Sequence, residues 1–366
     1  MNRRNIILGI CLPLLVFQMS TGQNVSSTNM PNQAAAIADA APITPMPSNS
    51  AEILKLAARM NGLNSPDIQP WHIKVHYDAF DSDGNKKNSG SYEEFWISAT
   101  KYKRSYVSNS FNQTDFATEH GLYRAGNQEW PGLLEGKIRP VVLEPVPANI
   151  RIHDFKLKRS NQSFGSLKLQ CIILEPQNSQ SFHVVGYPDN ARFVHYCLGQ
   201  QQPVLRFYSQ GAGAFDTLYN DIVEFQGRYL ARDISVTNEG KPFLTVHVET
   251  IEKLTLIPDL SPSSNAIGPI TTVKMDIAAL QGYIVNRAFP RYPENARLEG
   301  IQGEVVVKFT VGKDGKVVST EAVSGPLLLR DAATDCVRQW RFNPFLLIGQ
   351  PVEVESTAKI IFTLGG

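Results

Sequence analysis

The run GEVVVKFTVGKDGKVVST, residues 303–320, constrains the fold more than any other stretch. Val305, Val307, Phe309 and Val311 alternate with Glu304, Lys308 and Thr310, the two-residue period of a strand buried on one face. Asp314-Gly315 then supplies the left-handed backbone that a tight hairpin turn requires. A hairpin closed by that pair sets Val311 against Val318, Val307 against Ala322 and Lys308 against Glu321, so one side of the ribbon is apolar and the other charged. The apolar side needs a cover. In PLLLRDAATDCVRQW, Leu329, Ala332, Ala333, Cys336, Val337 and Trp340 share one helical face opposite Arg330, Asp331, Thr334 and Arg338, with Pro326 suited to the first turn. The closing run PVEVESTAKIIFTL returns to period two, with Val352, Val354, Ala358, Ile360, Phe362 and Leu364 inward and Glu353, Glu355 and Lys359 outward. With a short helical segment at 293–298 in front, residues 280–366 form a small α+β module ordered helix, strand, strand, helix, strand, whose three-stranded sheet is covered on one face.

Upstream, the composition breaks at IPDLSPSSNAIGP, residues 257–269, so 258–279 is expected to be a flexible linker. Residues 51–257 form the other domain. It opens with AEILKLAARMNGL, where Ile53, Leu54, Ala57 and Ala58 recur at helical spacing before Gly62 stops the run. Strand-like runs follow almost without interruption, beginning with WHIKVHY, which alternates Trp71, Ile73, Val75 and Tyr77 with His72, Lys74 and His76. A leading helix followed by successive antiparallel strands predicts a strongly curved sheet wrapped around one helix. In element order and size this resembles the open half-barrel of the periplasmic lipoprotein carriers, which implies an apolar concavity, lined by residues such as Trp71, Phe95, Trp96 and Tyr102, able to hold a lipid or other apolar ligand.

The last quarter of the chain carries a sharper resemblance. Pro290, Tyr292-Pro293, Ala296-Arg297, Gly303 before the alternating strand, Asp314-Gly315, Ala332-Ala333 and Gln339-Trp340-Arg341-Phe342 with Pro344 together resemble the C-terminal domain of TonB, the periplasmic energy transducer. What the resemblance implies is recognition without catalysis: the TonB box, an extended peptide of an outer-membrane receptor, is added as a strand to the sheet. Carried over by resemblance, the edge is the final strand, with Val352, Val354, Ser356, Ala358 and Ile360 as peptide-binding residues. Pro290, Tyr292 and Pro293 form a stiff rim beside it, because the two prolines fix φ and bias Phe289 and Tyr292 away from helix. The plain alternatives are that Tyr292-Pro293 only starts a short helix, that Trp340 and Phe342 are core, and that Lys308 and Glu321 are a solvated pair.

The N-terminus bears on location. Two arginines in MNRRN precede the apolar run IILGICLPLLVFQM and then STGQ, the order of a secretory signal, with Ser20 and Gly22 at small positions before a cut. Residues 1–22 are expected to leave as a signal peptide and 23–50, rich in Ser, Asn, Ala and Pro, to form a flexible tether in the periplasm. The rival is an uncleaved inner-membrane anchor, yet about 14 apolar residues rise only about 21 Å as a helix, short of a hydrocarbon core of roughly 30 Å. Export would leave Cys171, Cys197 and Cys336 in an oxidising compartment. Cys171 and Cys197 lie in neighbouring strand-like runs and are expected to form a disulfide, with Cys336 buried on the helical face.

Other chemistries find little footing. A net charge of +1 provides no broad electrostatic basis for nucleic acid. His72 and His76 lie on a strand, where four residues span about 13 Å, too far for one metal ion. Asp81, Asp83 and Asn85 lack the closing Glu of a calcium loop and read as a turn. With no nucleophile elbow, phosphate-cradling glycine loop or zincin helix, the reading is a binding protein without cofactor rather than an enzyme.

Overall fold

Burial alternates residue by residue along most strands of the first domain, and hairpins join them into one antiparallel sheet. The computed structural model describes residues 46–65, 67–164, 166–177, 193–211 and 214–364, so the expected signal and most of the tether lie outside the described residues. Helix α1 (Ser50–Met60) is capped by Asn49, whose side chain accepts from the N–H groups of Ala51 and Glu52. Strands β1 (Trp71–Phe80), β2 (Lys86–Ser98), β3 (Lys101–Ser108), β4 (Asn112–Thr118) and β5 (Gly121–Gly126) precede α2 (Leu133–Leu143). Then come β6 (Phe155–Phe164), β7 (Leu167–Pro176), β8 (Val194–Gly199), β9 (Leu205–Ser209), β10 (Phe215–Phe225), β11 (Arg228–Asn238) and β12 (Lys241–Lys253). Among the described residues these make one twelve-stranded sheet in the order β5-β4-β3-β2-β1-β12-β11-β10-β9-β8-β7-β6. The two strands that flank α2 in sequence therefore stand at opposite edges, and the chain crosses between them through α2.

The concavity holds two helices, not the one expected. Ile53, Leu54, Leu56 and Ala57 of α1 and Ile138, Val142 and Leu143 of α2 are buried. Gly136 and Pro140 inside α2 hide its helical period in the sequence. Gly62 ends α1 at φ +80°, and a Cβ there would come within 2.3 Å of the Leu143 carbonyl oxygen, so glycine sets how closely the two helices approach. Cys171 and Cys197 are directly opposite on β7 and β8 and form the expected disulfide.

The second domain follows β13 (Thr272–Lys274), α3 (Ile277–Leu280), β14 (Ile284–Asn286), α4 (Glu294–Leu298), β15 (Gly303–Val311), β16 (Val317–Ser324) and α5 (Leu327–Arg338). After β17 (Arg341–Phe342), β18 (Leu346–Leu347) and β19 (Gln350–Pro351), it ends on β20 (Glu353–Phe362). Val307 pairs with Ala322 and Lys308 with Glu321, as the turn predicts, but a bulge sets Val311 against Val317 instead of Val318. The ion pair of Lys308 is made with Glu355, at 3.9 Å. Leu329, Ala333, Cys336 and Val337 of α5 cover the sheet with Trp340 behind them. Gly315, at φ +80°, leaves no room for a Cβ against the Phe342 carbonyl oxygen at 2.0 Å, and its own carbonyl accepts from Phe342 N–H.

Two expectations about this half are corrected. Its sheet has four strands, ordered β13-β20-β15-β16, because residues from the supposed linker pair with β20 in parallel. That linker is tied down from residue 267 onward: Ile267 exchanges backbone bonds with Arg124, Ile270 N–H donates to Leu122, and Met275 N–H donates to Glu355. Three residues are too few to show a period, and parallel pairing leaves no local turn to announce it. No helix among the described residues is long and apolar enough to cross a membrane.

The first domain buries charge as well as apolar surface. Glu94 is fully buried and takes Arg104 at 2.9 Å and Arg139 of α2 at 3.1 Å, with the Tyr92 hydroxyl also donating to it. Burial alone pushes the Glu94 carboxyl up, but the two guanidiniums and the hydrogen bonds from Arg104 and Tyr92 outweigh it and hold the group down at about 2. Since the folded value lies below the ordinary 4.5, Glu94 stabilises the fold above that pH and the contribution is lost as pH falls toward 2. Glu94→Gln leaves two arginines without a counter-charge and is expected to cost about 3–5 kcal/mol at neutral pH in urea unfolding. It should also make the loss of stability between about pH 4.5 and 2 shallower than in the unsubstituted chain. An unchanged acid limb would mean that other carboxylates carry it.

Candidate peptide-binding edge and the adjoining cleft

Strand β20 has β15 along one side. On the other side the Glu353 N–H donates to Thr271 and the Glu355 carbonyl accepts from Met275, so odd-numbered residues of β20 aim their backbone groups away from β15. Residues 353–355 of that border are filled by β13. Val273 and Met275 are buried, and burying such side chains contributes about 1.5–3 kcal/mol each, so β13 is a fixed member of the sheet. Beyond it, Thr357, Lys359 and Ile361 present N–H and C=O groups with no backbone partner among the described residues. Residues 357–362 thus offer an open border about 20 Å long.

This relocates the expected contact residues along the same strand. Val352, Val354, Ser356, Ala358 and Ile360 all turn their side chains into the core. From residue 354 on, the even positions also face β15 with their backbones, so pairing capacity for a new strand lies with the odd positions. The inward hydrophobic pattern was the visible signal in the sequence; the parity of the backbone groups follows from it one residue out of step.

A rigid corner stands at the far end of the open border. The Tyr292 hydroxyl donates to the Ile301 carbonyl at 2.6 Å, and its ring meets Phe362 edge-on at 5.5 Å. Pro290 and Pro293 are half-buried in the same turn, with Pro293 at the N-cap of α4. Tyr292 therefore stands just before the N-cap of a helix and also packs against the last residue of β20. Trp340 and Phe342 are core, with Trp340 edge-on to Phe309 and Phe342 stacked on it.

At the near end lies a cleft of about 1110 Å³ between the two domains, lined by Phe111, Trp130 and Leu133 from one side and by Ile277, Tyr283 and Thr357 from the other. Its shape depends on the turn after β5. Arg124 is buried and grips Asp115 through Nε at 2.6 Å and one terminal nitrogen at 2.9 Å, while its other terminal nitrogen donates to the carbonyls of Gln128 and Glu129. The Trp130 N–H then donates to the Lys274 carbonyl at 2.7 Å, and its ring packs against Phe345 at 5.0 Å.

The concavity of the first domain is largely filled. Trp71, Trp96 and Tyr102 are core, whereas Phe95 lies on the opposite face, stacked on His72 at 4.1 Å. A cavity of about 260 Å³ remains, lined by Tyr196, Tyr208, Phe215 and Tyr219 beside Lys137, whose ammonium is lowered in pKa by burial. That is below the usual 300–1,000 Å³ of ligand pockets. His72 is bonded to Glu93 and Glu252, and the Asp81 side chain accepts from the N–H groups of Asp83 and Asn85 in a tight turn. Among the described residues no group of three ligating side chains is placed to hold a metal ion.

Comparison with known proteins bears on the second domain. Residues 288–364 match the C-terminal family of Gram-negative bacterial TonB proteins. Protein TonB of Vibrio cholerae serotype O1 is 34% identical over 79 residues, which is 21% of this chain and 32% of that protein. The chain thus spans about a third of that relative's length. The solution structure of the Pseudomonas aeruginosa TonB C-terminal domain aligns at 25% identity and TM-score 0.21, covering 23% of this chain and 86% of that one. A LolA superfamily protein from Nitrosomonas europaea aligns at 10% identity and TM-score 0.37, covering 57% of this chain and 96% of that one.

The Arg124–Asp115 pair yields a prediction. Asp115→Ala strands a buried guanidinium and is expected to destabilise the chain by about 3–5 kcal/mol. Backbone amide exchange at Trp130 and Met275 should accelerate by more than at the centre of β15, since the turn that seats β13 loses its anchor. Equal acceleration everywhere would show that the pair supports the fold as a whole and not this junction.

Proposed function

We propose that this is an exported, periplasmic binding protein whose TonB-like module takes up an extended, TonB-box-like segment of an outer-membrane receptor as an added strand along residues 357–362. The observation that carries the reading is the open border itself: three residues with unpaired backbone groups, next to a proline-stiffened aromatic corner, in a module whose residues 288–364 match the TonB C-terminal family. The role is recognition, with no cofactor and no bond making or breaking. Where the N-terminal segment stays in the inner membrane, the same site can couple to energy-dependent transport; where it is removed, the module binds only.

Lys359→Pro tests the border. It deletes an outward N–H and leaves the bonds to β15 in place, so the fold survives while strand addition loses a central bond. Titrating the full chain with synthetic peptides from the TonB-box segments of the host's receptors should give binding that weakens about tenfold or more in the variant, equivalent to about 1.4 kcal/mol. Binding that is indifferent to Lys359→Pro, with circular dichroism unchanged, would rule out this border.

A further inference from the structure

The proposed slot does not run out into solvent at both ends. β13 fills it over residues 353–355 and then leaves the sheet, because Asp276 caps α3 and turns the chain aside. The next position in the slot, beside Thr357, opens on the cleft between the domains. Leu133, the first residue of α2, lines this cleft with its side chain 60% exposed. Phe111, Trp130 and Ile277 are only half-buried there.

We infer that the cleft receives the flank of the same peptide, so that both domains read one partner. The inference rests on the strand-addition reading above. The partner is then an extended segment of which about six residues pair with β20. The residues before or after them cross the cleft and place a large apolar side chain against Leu133, Phe111 and Ile277.

The test uses the full chain and the host's receptor peptides, made about six residues long and extended to about twelve at either end. Extension at one end is expected to tighten binding about tenfold, and Leu133→Asp, at an exposed helix start where an acidic residue is tolerated, should remove that gain while the short peptide binds as before. If the gain is less than about twofold at both ends, or survives Leu133→Asp, the composite site is overturned while strand addition stands on its Lys359→Pro result. If instead long peptides bind, depend on Leu133 and ignore Lys359→Pro, the cleft is upheld as a peptide site and strand addition falls. Peptides that bind at neither length overturn both.

Discussion

The junction between the domains depends on the buried pair of Arg124 and Asp115. A buried ion pair seldom adds net stability over an apolar isostere, so its worth lies in geometry. Arg124 is committed in two directions at once, to Asp115 within the sheet and to the carbonyls of Gln128 and Glu129 beyond it. Gln113 joins in by donating to the carbonyls of Asn127 and Glu129. The turn so held presents Trp130 to Lys274, which seats β13 on β20 and thereby decides how much of that border is left open. A polar cluster in one domain thus bears on how much of a sheet border is left unpaired in the other.

Exposed sheet edges invite unwanted pairing, and this chain treats each of its edges differently. β5 is covered by the chain at Ile267 and Ile270. β6, the opposite edge of the large sheet, carries Lys156, Lys158 and Arg159, charges that discourage a flat apolar contact. β16 also has no backbone partner on its outer side among the described residues, and Arg338 of α5 bonds to the Thr320 hydroxyl on it. The second half of β20 is left regular and uncovered. Among the described residues, the second half of β20 combines a regular, unpaired border with a cleft at one end and a proline-stiffened aromatic corner at the other.

What could be read from the sequence tracks the range of the interaction. The β15–β16 hairpin, the buried face of α5 and the inward pattern of β20 are local periodicities, and the structure reproduces them apart from one slipped pair at the turn and the half-buried Ala332 and Leu364. The Cys171–Cys197 bridge was legible because both lie in adjacent strand-like runs. The slip to Val317 was not, since a bulge changes a register by one residue without altering composition. α2 was masked by Gly136 and Pro140, and Phe95 was assigned to the concavity because its aromatic neighbours Trp71 and Trp96 are there, although its place in the alternation puts it outside. β13 was beyond reach for a different reason. Its partner lies about eighty residues away in sequence, and nothing in Thr-Val-Lys specifies parallel pairing.

Magnitudes indicate why the border has a structured feature at each end. Ordering about six peptide residues costs roughly 1–2 kcal/mol each, or about 6–12 in all. The outward groups of Thr357, Lys359 and Ile361 can make about six hydrogen bonds, each worth about 0.5–1.5 kcal/mol net. Backbone pairing alone therefore falls short by several kcal/mol, and a bare edge of this length would hold a foreign strand only fleetingly. Burying one or two large apolar side chains, at about 1.5–3 kcal/mol each, closes the gap. The corner built from Tyr292 and Phe362 and the cleft beside Thr357 are where such side chains can be received, at opposite ends of the slot. On the strand-addition reading proposed above, the sheet supplies direction and register, and these two flanking surfaces supply the remaining affinity.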